Sequence, residues 1–140
     1  MFATVTPTIT TSAYSANDQV GGIQVLSFGE GVKCIKSVTV VDAGKQSAAL
    51  KILLFEELPV VASSDNAAAN IVDAEVTAKC FGSISIAAAD YIALAASSVA
   101  TVAVDIAAQS RGGKIWAVAL TTGTPTYASI SDLTFKYGAT

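Results

Sequence analysis

Two adjacent carboxylates, Glu56 and Glu57, close the apolar run AALKILLFEELPVV at residues 48–61. Such a pair could supply a general acid and a general base, as in glycoside hydrolysis, where two carboxyls face each other across the scissile bond. Their spacing argues against it. Neighbours on an extended strand point to opposite faces, so the two do not converge on one substrate. The simpler reading makes Phe55 the last core residue, the glutamates the exit to the surface, and Pro59 the end of sheet pairing. A second set of oxygens lies in DNAAANIVDAE at 65–75: Asp65, Asn66, Asn70, Asp73 and Glu75. Calcium favours such ligands, but the alternating spacing and central glycine of an EF-hand loop are missing, and a solvated loop with a helix cap explains them. SRGGK at 110–114 has the outline of a phosphate loop. It lacks the first glycine, and Ile115 stands where Ser or Thr would meet magnesium, so it reads as a Gly-Gly hairpin turn.

The chain has no histidine, which removes the commonest general base and the commonest metal ligand. A Ser-His-Asp or Cys-His arrangement is therefore impossible. The two cysteines, Cys34 and Cys80, cannot build a structural zinc site and read as small buried hydrophobes, with one disulfide as the alternative. No cofactor or metal is expected, and the chain is not read as an enzyme. A sugar-binding sandwich would need exposed aromatic platforms. Trp116 sits in the apolar stretch KIWAVALT and reads as core, which leaves Tyr127 in TPTYAS as the exposed candidate or as a subunit contact.

The elements that would position these residues are short strands. Val5–Tyr14, Val20–Phe28 with a bulge or bend at Gly21-Gly22, Val32–Asp42, Ala48–Phe55, Gly82–Ala87, Tyr91–Leu94, Val99–Ile106 and Lys114–Thr121 are rich in β-branched residues or alternate in polarity. Leu133, Phe135 and Tyr137 alternate with Thr134 and Lys136, the clearest half-buried strand. One short helix is expected over 71–81, with Asn70 as its N-cap. About eight strands with frequent turn signals predict a single all-β domain over residues 1–140, an antiparallel sandwich or barrel.

Composition narrows the role. The 140 residues are 52% hydrophobic and 14% charged, with mean hydropathy +0.57; a typical soluble domain carries about 25% charged residues. The longest apolar stretches are too short, or too broken by Gly123, Pro125 and hydroxyls, to span a membrane as a helix. The N-terminus lacks the basic segment and apolar core of a signal peptide. Net charge is −3 and the eight basic residues are scattered, so direct nucleic-acid binding is not expected. A chain this apolar and poor in charge is expected to hide surface against copies of itself or a partner.

TPTITTSAYSANDQVGG (6–22), LKILLFEELPVVASSDNAA (50–68), SIAAADYIAL (85–94) and TPTYASISDLTFKYG (124–138) resemble the capsid cementing, or decoration, proteins of tailed bacteriophages. The resemblance covers most of the chain and carries no catalytic motif. It implies a jelly-roll-like β-sandwich that forms a homo-oligomer, a dimer or alternatively a trimer. Its partner would be the major capsid protein on the outer surface of the virion, where it holds neighbouring coat subunits against the pressure of packed DNA. Residues 1–10 are expected as an extended arm, with Phe2, Val5, Pro7, Ile9 and Tyr127 as the candidate capsid or subunit contacts. A tail or fibre component and a carbohydrate-binding sandwich are the alternatives.

Overall fold

A computed structural model describes residues 1–140 as nine strands, one short helix and a 3-10 turn. The strands are β1 (Phe2–Val5), β2 (Gln19–Ser27), β3 (Gly31–Asp42), β4 (Leu50–Phe55), β5 (Cys80–Ile86), β6 (Tyr91–Ala93), β7 (Ser98–Ser110), β8 (Lys114–Thr121) and β9 (Leu133–Ala139). Helix α1 spans Asp73–Lys79. Two antiparallel sheets form, one in the order β1-β9-β3-β7-β6 and the other β2-β8-β4-β5. The pairs β1/β9, β2/β8, β3/β7 and β4/β5 are nested. The chain thus folds as one long ribbon doubled back on itself and wrapped into two facing sheets, which is the jelly roll. β6 is an extra edge strand beyond β7.

Alternation aims the core. Leu133, Phe135 and Tyr137 point between the sheets and meet Val38, Val40, Leu50, Ile52, Leu54 and Ile115 in one buried cluster. β4 is an inner strand, held by β8 on one side and β5 on the other, as its apolar run requires. Gly21 has φ +73°, and a Cβ there would stand 2.7 Å from the Pro7 ring. That close approach and the left-handed backbone both require glycine, and the β2/β8 register shifts at this point. Gly112 and Gly113 also have positive φ, which forms the tight turn between β7 and β8.

The structure differs from the sequence expectations at several places. The first strand is Phe2–Val5 and not Val5–Tyr14. Pro7 lacks an N–H for a ladder, and the chain beyond it leaves the five-stranded sheet on an irregular path. The helix is shorter than residues 71–81. It begins after Val72 with no side-chain cap; Asn70 instead receives a bond from Ala62 N–H on its carbonyl and donates its N–H to Ser63 Oγ. At the other end the alternation of Phe81-Gly-Ser-Ile-Ser-Ile draws Cys80 and Phe81 into β5.

Residues 1–10 lie against the chain's own sheet. Phe2–Val5 pairs with Phe135–Gly138, Ile9 N–H donates to Ile130 O at 3.0 Å, and Ile9 is buried in the core. Deleting residues 2–10 is therefore expected to lower the thermal midpoint, since truncating a buried Ile alone costs about 2–5 kcal/mol. An unchanged midpoint in a calorimetric scan would show that the segment is dispensable to the fold.

Candidate functional site

The residues singled out for chemistry are scattered into structural tasks. β4 ends at Phe55, and Glu56 and Glu57 emerge at the surface, where Arg111 from the β7–β8 turn reaches both, at 3.9 Å and 2.8 Å. That clamp joins the end of β4 to the neighbouring turn. Asp65 accepts from the Tyr14 hydroxyl at 2.6 Å and from Gly21 N–H at 2.7 Å, which ties the 56–72 segment to β2. Burial, reinforced by Asp65, pushes the Tyr14 hydroxyl well above the ordinary phenol range. Glu75 pairs with Lys79 one helical turn on, at 2.6 Å, and this bond together with Val60 N–H holds its carboxyl below the usual range. No three Cys, Asp or Glu side chains converge to hold a metal.

The cysteines are free and half-buried, not core thiols. Cys34 lies on the outer face of β3, where its thiol donates to Asp105 at 2.7 Å, and Lys36 binds the same carboxylate oxygen at 2.7 Å. The shared Asp105 raises the Cys34 thiol and the Lys36 amine, and their two bonds lower Asp105. Its apolar neighbour Ile35 points to the other side of the strand, into the core, and the sequence run KCI did not reveal this.

Of the expected contact residues, Tyr127, Ile9 and Pro7 are buried within the chain, and Val5 is half-buried. Tyr127 packs edge-on against Tyr14, with ring centroids 5.9 Å apart, so it offers no platform to a sugar or a neighbour. Phe2 alone is open, at 72% exposure. Trp116 is half-buried on the outer side of β8, opposite Val25 and Phe55. The one cavity, about 330 Å³, is an open groove between Gln46–Ala49, Ala88 and Thr122–Pro125. It has neither an aromatic nor a charged wall.

The two sheets differ in what covers their outer sides. Outward-facing Val118 and Phe55 of the four-stranded sheet are fully buried, and the chain's own 56–79 excursion runs beside them: Asn66 and Ala67 bond to Gln19 of β2, and Lys79 O accepts from Glu56 N–H. The outer side of the five-stranded sheet has no such cover. Three cross-strand rows make one part of that face, and β3 and β7 carry it on past Cys34 to Val32. The rows run Phe2–Gly138–Ser37–Ala103, then Thr4–Lys136–Thr39–Thr101, then Thr134–Val41–Val99–Ile92. The Phe2 ring lies over Gly138, within 3.2 Å of where a Cβ would be. Thr39 and Thr101 share a hydroxyl bond at 2.9 Å, and Thr6 and Thr134 one at 3.0 Å. The three most exposed large apolar side chains of the protein, Val32 (73%), Phe2 (72%) and Ile92 (69%), stand on this one face. Val32 and Ile92 were missed in the sequence because alternation gives no direction there: Val32 is flanked by Lys33 and Lys36 on opposite sides of β3, and Tyr91, Ile92 and Ala93 are apolar on both sides of β6.

Set against protein-family models, curated proteins and solved structures, the chain matches none.

Proposed function

We propose that this chain is a structural protein of a tailed-phage head, binding the outside of the shell and joining neighbouring coat subunits. The observation that carries this reading is the uncovered five-stranded face with its apolar corners, joined to the resemblance of residues 6–22, 50–68, 85–94 and 124–138 to cementing proteins. A rigid two-sheet domain whose bare side holds few charges suits a role exercised through surface contact and not through chemistry. The lack of histidine and the clamping of Glu56 and Glu57 by Arg111 support a binding role over a catalytic one. A scattered set of basic residues and a net charge of −3 suit an external position, away from packaged DNA. A homo-oligomer would engage several weak coat contacts at once, so that its effective affinity multiplies. The carbohydrate-binding alternative loses support, because Tyr127 is buried and the groove lacks an aromatic wall.

Quantitative mass spectrometry of intact particles made from the genome that encodes this chain tests the proposal. Copy numbers comparable with the major coat protein are expected. A handful of copies per particle would move the protein to the tail or a vertex, and complete absence would remove the structural reading.

A further inference from the structure

We infer that residues 56–79 form a latched strap, which opens at its tip and uncovers the outer side of the four-stranded sheet while both sheets stay folded. The strap is closed at its root, where Glu56 N–H donates to Lys79 O at 2.9 Å. Its tip meets the start of β2. Asn66 N–H donates to Gln19 O and Gln19 N–H to Ala67 O, each at 2.8 Å, and Ala69 N–H donates to Asn17 O at 3.0 Å. One oxygen of Asp65 accepts from both the Tyr14 hydroxyl and Gly21 N–H. The Ser63 hydroxyl donates to Gln19 Oε1 at 2.7 Å. Between root and tip the strap bonds to itself. Ala62 N–H donates to Asn70 O, Asn70 N–H to Ser63 Oγ, Val60 N–H to Glu75 and the Lys79 amine to Leu58 O.

Apolar contact adds little to this hold. Within 56–79 only Pro59 is buried. Helix α1 has no buried residue and no side-chain cap. Leu58, Val60 and Val72 face outward, at 57%, 66% and 57% exposure, while Phe55 and Val118 on the sheet are fully buried. Segments with few buried apolar contacts open locally, at a free energy below that of the whole fold. The ladders that hold the sheet, β4 with β5 and β8 with β2 and β4, do not pass through the strap. Releasing the tip therefore breaks the latch without unpairing either sheet. The protein then has a covered and an uncovered form, and anything that binds the uncovered side shifts the balance toward it.

Native-state hydrogen exchange on the full chain tests the latch. Gln19 and Gly21 are the decisive reporters. Both belong to β2, but Gln19 N–H bonds to the strap, and Gly21 sits in the β2/β8 register shift with Asp65 as its acceptor. The amides of Gln19, Gly21, Asn66 and Ala69 should share one protection factor, about a hundredfold below that of amides in the middle of β4 and β8. Asp65→Asn removes the charge from two of the latch bonds, so it should lower all four by about a further tenfold and leave β4 and β8 unchanged. Equal protection of the reporters and of β4 and β8 in wild type would show that strap and sandwich open together, and would overturn the inference without any variant. An unaltered pattern in D65N, or an equal loss at every amide, would overturn it as well. A second readout follows the uncovering itself. With Cys34 and Cys80 replaced by serine, Val118→Cys should react with a maleimide about tenfold faster when D65N is added, by the same loss of charge-assisted bonds. An unchanged rate would show that the strap is not what hides Val118, and that the sheet stays covered when the latch opens.

Discussion

Replacing Tyr137 with alanine is expected to be the most damaging single change, lowering unfolding free energy by about 3–5 kcal/mol. Tyr137 is fully buried at the centre of the sandwich. Its ring stacks on Phe135 at 6.3 Å between centroids, and its hydroxyl donates to Gln24 Oε1 at 2.7 Å. Burial alone pushes that hydroxyl far above the ordinary phenol range, so it stays a donor at any pH at which the protein is handled. The Gln24 amide is itself buried, and its Nε2 has no partner. Tyr137→Phe separates packing from bonding. It keeps the ring but leaves both polar atoms of Gln24 unpaired, for a loss of about 1–3 kcal/mol. Urea unfolding of the pair should show both midpoints reduced, alanine the more, with the slope unchanged. A phenylalanine variant as stable as wild type would show that the Gln24 bond contributes nothing. Since a domain of this size has roughly 5–15 kcal/mol in total, the alanine variant should be partly unfolded in mild denaturant.

Asp42→Ala should rank next. The carboxylate is fully buried at the end of β3 and accepts from the N–H groups of Gly44, Gln46 and Ser47, each at 2.9 Å. Those bonds hold a turn in which Lys45 (φ 52°) and Ser47 (φ 51°) are left-handed although neither is glycine, a conformation kept only when its surroundings over-determine it. Alanine would remove three bonds to a charged acceptor, a loss of about 3 kcal/mol or more at roughly 1.5–3 kcal/mol per bond to a charged group. Asp42→Asn keeps an acceptor and removes the titration, so it isolates the pH dependence. Burial pushes the Asp42 carboxyl up, against the three N–H bonds that lower it, and neighbouring Asp132 adds to the rise. A raised folded value means that the folded state binds the proton more tightly than the unfolded chain. The resulting stability is complete below the unfolded value of about 4 and is lost as pH rises through the folded value. The stability of wild type relative to D42N should therefore shrink as pH rises across that window. A difference that is flat or grows with pH in urea titrations would show that the three amides outweigh burial.

Sequence reasoning reached the fold where burial leaves a periodic mark. Leu133–Tyr137 alternates because one side faces the other sheet, and Ala48–Phe55 is apolar apart from Lys51 because β4 lies between β8 and β5, with Phe55 buried on its outer side as well. It failed where the deciding partner is distant in sequence. Hydroxyl-rich residues 6–14 have the propensity of a strand, but Pro7 and the packing of Ile9 and Tyr14 take them out of the sheet. Tyr127 sits in a polar loop, and only Tyr14, more than a hundred residues earlier, makes that position a core site. The Arg111 clamp on Glu56 and Glu57 has the same origin, since nothing local joins the β4 exit to the β7–β8 turn. The bare face was illegible for a further reason. Strands such as Gly31–Asp42 carry Val and Ile on both sides, and which side is covered depends on where the 56–79 excursion lies.

The nesting of β1 with β9 and β2 with β8 has a kinetic consequence. Almost every pairing joins distant parts of the chain, and loop closure must precede the contacts that reward it. Folding in milliseconds to seconds is the expected range for such topologies. β9 lies between β1 and β3, so the five-stranded sheet cannot close until residues 133–139 have been synthesised and inserted. Until then β1 has no partner, β3 has one open edge, and the rows Phe2–Gly138–Ser37 and Thr4–Lys136–Thr39 do not exist as a surface. Any contact made through these rows is therefore open only to molecules in which β9 has been made and inserted.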